Sequence, residues 1–153
     1  MGIYLSTPST EIVTEEGGGS VKYVVGEMQG WRRHMEDSHI ALLDVDNTHP
    51  TPGNNSDDAG TIPRFSLFGV FDGHGGKEVA KFVKLKYPTL VLSELLKHEG
   101  DVAAALRDSF HRVDDLLEDL EHADLLKDLR SLPNPSDKKS KESEWGEEEE
   151  TEE

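Results

Sequence analysis

Apolar and polar positions recur with clear periods in only two parts of the chain, residues 21–46 and 65–126. From Val21 to Glu27, Tyr23 and Val25 alternate with Lys22 and Val24, which predicts a strand; Gly26 and Gly30 then interrupt the backbone around Met28. Ile40, Leu42, Leu43 and Val45 form an apolar run within 39–46 that is too short for a stable helix, so this segment also reads as a strand. Arg64 to Phe71 is apolar on both faces, the pattern of a central, covered strand. Ahead of these, residues 1–20 read as a short edge strand followed by a flexible turn at Gly17, Gly18 and Gly19. Asn47 to Pro63, rich in Pro, Gly, Asn and Asp, reads as a loop.

The period lengthens after Gly76. Val79, Phe82 and Val83 share one helical face as far as Tyr87. Pro88, which lacks an amide hydrogen and restricts the residue before it, is expected to kink or end that helix. Thr89 to Lys97 is then a second helical piece, stopped near Gly100. Asp101 is placed as an N-cap for an amphipathic helix with Val102, Leu106, Phe110, Val113, Leu117 and Leu120 on one face, running to about Lys127. Its acidic residues form the solvated face.

Composition narrows the picture. Sixteen Lys and Arg against 32 Asp and Glu leave a net charge of −16, which disfavours nucleic acid or an anionic membrane as a partner and suits divalent cations or basic proteins. The chain has no cysteine, which removes disulfides, thiolate zinc sites and cysteine-nucleophile phosphatase chemistry. No apolar run reaches the roughly 18 residues of a membrane span. Met1 to Ser6 fits the short N-myristoylation pattern at Gly2, which would give only marginal membrane contact. Residues 137–153 hold nine acids and three lysines and too little apolar surface to offset ordering entropy, so residues 131–153 read as a disordered acidic tail or the start of an acidic insertion. A cytoplasmic or nuclear location is expected.

Two segments carry candidate chemistry. Phe68 to Gly76 reads as a strand ending in an acidic, glycine-rich turn where a helix should begin, and together with Gln29 to Asp37 it supplies carboxylates, an arginine and a histidine for phosphate chemistry. A nucleotide-binding loop is excluded by spacing: a phosphate loop would need glycine at Phe71 and Ser or Thr at Glu78, and a dinucleotide fingerprint would need glycine at 78. A metal site suits the residues better. Mg²⁺ and Mn²⁺ prefer carboxylate, carbonyl and water oxygens; Asp72 offers two oxygens, and Gly73 allows its carbonyl to face an ion. Glu36 and Asp37, if extended, point to opposite faces, with Glu36 favoured for the metal side. Trp31 is expected to pack, and His39, His49, His98, His111 and His122 have no supporting constellation.

Met28-Gln29-Gly30-Trp31-Arg32, Met35-Glu36-Asp37 and Val70-Phe71-Asp72-Gly73-His74-Gly75-Gly76 together resemble the first half of the metal-dependent protein phosphatase family, type 2C. The likeness covers roughly residues 1–112. It implies an α+β fold, the amino-terminal part of a four-layer αββα sandwich of two antiparallel sheets flanked by helices, with residues 1–130 a partial phosphatase domain. It implies hydrolysis of phosphoserine and phosphothreonine in phosphoprotein substrates by water activated by two Mg²⁺ or Mn²⁺ ions. In that scheme Asp72 bridges the ions, Gly73 gives its carbonyl, Glu36 binds mostly through water, Arg32 grips the phosphate and His74 protonates the leaving alkoxide. The family's later aspartates are not found, so the chain is expected to be truncated and weak or inactive alone. The alternative is a non-catalytic fragment that binds another protein.

Overall fold

The computed structural model describes residues 4–19, 21–45 and 64–133. The expectations for Gly2, for the loop after residue 46 and for the tail beyond residue 133 lie outside these residues. Four strands come first: β1 (Tyr4–Gly18), β2 (Lys22–Arg32), β3 (Ser38–Val45) and β4 (Phe65–Phe71). Three helices follow: α1 (Glu78–Lys97), α2 (Val102–Glu118) and, after a single 3₁₀ turn at Leu120–His122, α3 (Ala123–Ser131). β1 pairs with β2 and β3 with β4, both antiparallel. The molecule is α+β, part of a sandwich in which two antiparallel sheets are accompanied by helices.

β1 is much longer than a short edge strand, and it includes Gly17 and Gly18. Its pairing with β2 slips between Tyr4 and Ser9 and again between Ser9 and Ile12, so it follows β2 by bulging, as local bends let a long strand do. The two sheets meet through side chains. The Tyr23 ring stands edge-on to Phe68 at 5.5 Å, and His39 on β3 reaches Glu27 on β2 at 2.7 Å and Glu15 on β1 at 3.1 Å. His39 thus does have a constellation, one that fastens sheet to sheet.

β4 is not covered on both faces among the described residues. Phe65, Leu67 and Phe71 pack toward the helices, whereas Phe68 is 46% and Val70 77% exposed on the other face. The apolar core lies between β3, α1 and α2, centred on Ile40, Tyr87, Leu90, Val91, Leu95 and Val113.

Pro88 neither ends nor divides α1, which runs unbroken for 20 residues. Its neighbours Tyr87, Leu90 and Val91 are all buried, and that packing outweighs the roughly 3 kcal/mol an interior proline costs. Asp101 caps α2 as expected, its carboxylate accepting the Ala104 N–H at 3.1 Å. The buried stripe of α2 differs from the predicted one. Ala105 and Ser109 are fully buried and Val113 nearly so, while Val102, Phe110 and Leu120 are exposed. Small residues let α2 approach α1 closely, and Ser109 donates to the Tyr87 hydroxyl at 3.1 Å across the contact. The helix stops at Glu118, short of Lys127, because Asp119 is extended and its carboxylate caps the next turn at Glu121 N.

Candidate metal and phosphate cleft

The register of β3 and β4 builds the site. Ser38, the first residue of β3, pairs with Phe71, the last of β4. In an antiparallel pair the chain entering one strand lies beside the chain leaving the other, so Glu36-Asp37 and Asp72-Gly73 emerge side by side. Gly73 tightens the approach: a Cβ there would lie 2.9 Å from the Glu36 carbonyl carbon and 2.9 Å from its Cβ. Gly75 and Gly76, with φ of 74° and 148°, turn the chain into α1 in a conformation that side chains rarely adopt.

On the other wall, β2 ends in a kink. Gly30 has φ of 65°, and the Gln29 side-chain amide donates to the carbonyls of Arg32 at 2.9 Å and Arg33 at 3.1 Å. These bonds fix the bend from which Arg32 projects.

The two walls enclose an open cleft of about 710 Å³ lined by Arg32, Arg33, Glu36, Asp37, Asp72 and Gly73, among others. Residues 33–37 are not strand, and Glu36 and Asp37 both line the cleft. His74 is exposed on the same turn and is not among the lining residues, whereas His34 is. Trp31, expected to pack, is 54% exposed. The sequence assigns no role to Gln29, Arg33 or His34, although all three lie in the run that carries Arg32 and Glu36.

A smaller cleft of about 270 Å³ adjoins the first. It shares His34, Glu36 and Gly75 and adds Gly76, Lys77, Glu78 and Arg130. Away from both, Glu94, His98 and Asp108 bring their ligand atoms within 4.8 Å of one another. Glu94 is fully buried, but its oxygens are taken by Arg112 Nη1 and Lys97 Nζ, each at 2.8 Å. His98 meets Asp108 at 2.8 Å. With two cations already neutralising Glu94, this cluster is an ion-pair staple between α1 and α2.

The sequence model of the family Protein phosphatase 2C matches residues 21–131. The chain belongs to that family. It is 40% identical over 119 residues to a probable protein phosphatase 2C 21 of Arabidopsis thaliana, covering 77% of this chain and 29% of the relative. It is 42% identical over 118 residues to probable protein phosphatase 2C 58 of rice (Oryza sativa subsp. japonica), covering 76% and 28%. It is likewise 42% identical over 122 residues to probable protein phosphatase 2C 3 of Paramecium tetraurelia, covering 76% and 34%. The chain thus spans about a third or less of the length of these curated relatives. No helix among the described residues is long and apolar enough to cross a membrane.

Proposed function

We propose that the larger cleft is part of the hydrolytic centre of a metal-dependent protein serine/threonine phosphatase. The observation that carries this reading is the convergence of Arg32, Glu36, Asp37, Asp72 and Gly73 on one cleft through the Ser38–Phe71 register. The donor set fits hard divalent cations such as Mg²⁺ or Mn²⁺, because its acids offer carboxylate oxygens and Gly73 leaves its backbone uncovered. Asp72, the Gly73 carbonyl and Glu36 are the groups of this chain that would hold such ions. When bound, such ions lower the pKa of water at the site and so supply the nucleophile at neutral pH.

The chain's own groups do the rest. Arg32 would orient the substrate phosphate with its planar donor fork, a geometry lysine lacks. Water attacks phosphorus, the bond to the serine or threonine oxygen breaks, and that oxygen takes a proton as inorganic phosphate is freed. His74 is the proposed proton donor, since imidazole is the side chain most often used to move protons in catalysis. Three carboxylates line the cleft among the described residues, and the chain aligns with only about a third of its relatives' length, so activity of this chain alone is expected to be weak or absent.

The test is Mn²⁺-dependent phosphate release from a phosphothreonine peptide, with Asp72→Ala as control. Trace release that disappears in the variant supports both parts of the reading. Robust, Asp72-dependent turnover would support the chemistry and overturn the expectation of weak activity. Release indifferent to Asp72 would overturn the site.

A second reading, a non-catalytic module that binds another protein through its sheets, draws on the exposure of Val24 (74%) and Val70 (77%). Mn²⁺ calorimetry separates the two, since such a module needs no Asp72-dependent metal binding.

A further inference from the structure

Glu78 opens α1 two residues after Gly76 and is only 9% exposed. Its Oε1 accepts hydrogen bonds from both Nε, at 3.0 Å, and Nη2 of Arg130, which comes from α3, 52 residues further along the chain. Its Oε2 is buried without a hydrogen-bond partner among the described residues. Both oxygens lie against the position a Cβ at Gly76 would occupy. The carboxylate is therefore wedged against the glycine turn that follows Asp72 and Gly73.

A buried acceptor without a donor is costly, so this placement needs a compensating interaction. Two donors of one guanidinium converging on Oε1 supply it, more than a single ammonium contact would. The Arg130 side chain is 69% exposed, so the wedge is held from the solvent side by a group outside the core. The smaller cleft is where these parts meet: Arg130, Glu78 and Gly76 line it together with Glu36.

We propose that Arg130 and Glu78 form a positioning pair that holds the Gly75-Gly76 turn, and through it Asp72 and Gly73, in the arrangement that binds metal. Seating of α3 on α1 is thereby coupled to the metal affinity of a cleft to which α3 contributes no ligand. The coupling rests on the metal reading above; the brace itself does not.

The experiment compares Arg130→Gln and Arg130→Lys with the unsubstituted chain and with Asp72→Ala. Amide hydrogen exchange at residues 73–77 is followed without metal, and Mn²⁺ affinity is measured by calorimetry. Arg130→Gln should speed exchange across the turn and weaken Mn²⁺ binding about tenfold, the size of effect typical of partners that orient metal ligands. The urea midpoint should fall modestly, because Glu78 loses part of its compensating donation, while amides of the α1–α2 core keep their exchange rates, and Arg130→Lys should recover part of the affinity. Unchanged exchange in Arg130→Gln overturns the brace. Faster exchange with unchanged affinity, while Asp72→Ala abolishes binding, overturns the coupling. If the unsubstituted chain shows no Asp72-dependent Mn²⁺ binding, the metal reading and its coupling fail, and the exchange result still decides the brace.

Discussion

Gly73 lies against the backbone of Glu36 so closely that a Cβ on it would sit 2.9 Å from the Glu36 carbonyl carbon. Two segments 37 residues apart in sequence are locked together there, and each brings its acids to the same cleft. Gly73→Ala must push them apart. It should destabilise the fold by about 1–3 kcal/mol, as overpacking does, and weaken Mn²⁺ binding. Calorimetry beside urea denaturation checks both effects; an unaltered Mn²⁺ affinity in Gly73→Ala would mean that the close approach does not shape the site.

Phe82 is fully buried on α1, with the His122 ring 5.2 Å away. Phe82→Ala should cost about 3–5 kcal/mol. Phe110, on α2, is 58% exposed and its ring lies 5.2 Å from that of Tyr87, so Phe110→Ala should cost about 1 kcal/mol. Urea titrations of the two variants would show equal losses if Phe110 were core, as the spacing of apolar residues on α2 suggests.

Removal of Glu94 tests the staple between α1 and α2. Glu94→Ala should cost about 2 kcal/mol, moderated because Lys97 and Arg112 are about half exposed and can regain water. Hydrogen bonds from Lys97, then Arg112, hold the Glu94 carboxyl below its ordinary value of 4.5. Its folded pKa is therefore below the unfolded one, so its contribution is present above pH 4.5 and disappears as pH falls through the lowered value. Stability followed from pH 6 to pH 3 should drop less steeply in the variant, and Mn²⁺ affinity should be unchanged. A large loss of Mn²⁺ binding in Glu94→Ala would place metal at the staple instead.

His39 has the opposite sign. Burial pushes its pKa down, but hydrogen bonds to Glu27 and Glu15 outweigh this and the net shift is upward from 6.5, with Lys84 opposing from α1. A raised folded pKa means that the stabilisation is complete below pH 6.5 and fades as pH rises through the higher folded value. The link between β3 and the β1–β2 pair should weaken over that range. The thermal midpoint should fall between pH 6 and pH 8, and His39→Gln should flatten the fall. An identical slope in the variant would show that the contact does not titrate.

Much of this was legible from residue types. The acids and glycines of 29–37 and 68–76 pointed to residues that line one cleft, Asp101 announced its helix, and the short apolar runs announced the strands. What the sequence could not carry was set by packing. Pro88 is a helix breaker locally, but α1 continues past it with Tyr87, Leu90 and Val91 buried. The apolar period of α2 pointed to Phe110, whereas close contact with α1 selected small Ala105 and Ser109. Glu36 and Asp37 both line the cleft from a segment, 33–37, that is not strand, where alternation gives no guide. The ion pairs of His39, Glu94 and Arg130 join residues too distant in sequence for any local pattern to couple them.

Binding of Mn²⁺ by the chain and by Asp72→Ala, followed by calorimetry at neutral pH, bears on the whole reading of the cleft. Binding by the unsubstituted chain that is abolished in Asp72→Ala, with the two unfolding at the same urea concentration, is the predicted result. Equal binding by both proteins, or binding by neither, would contradict a metal centre built on Asp72.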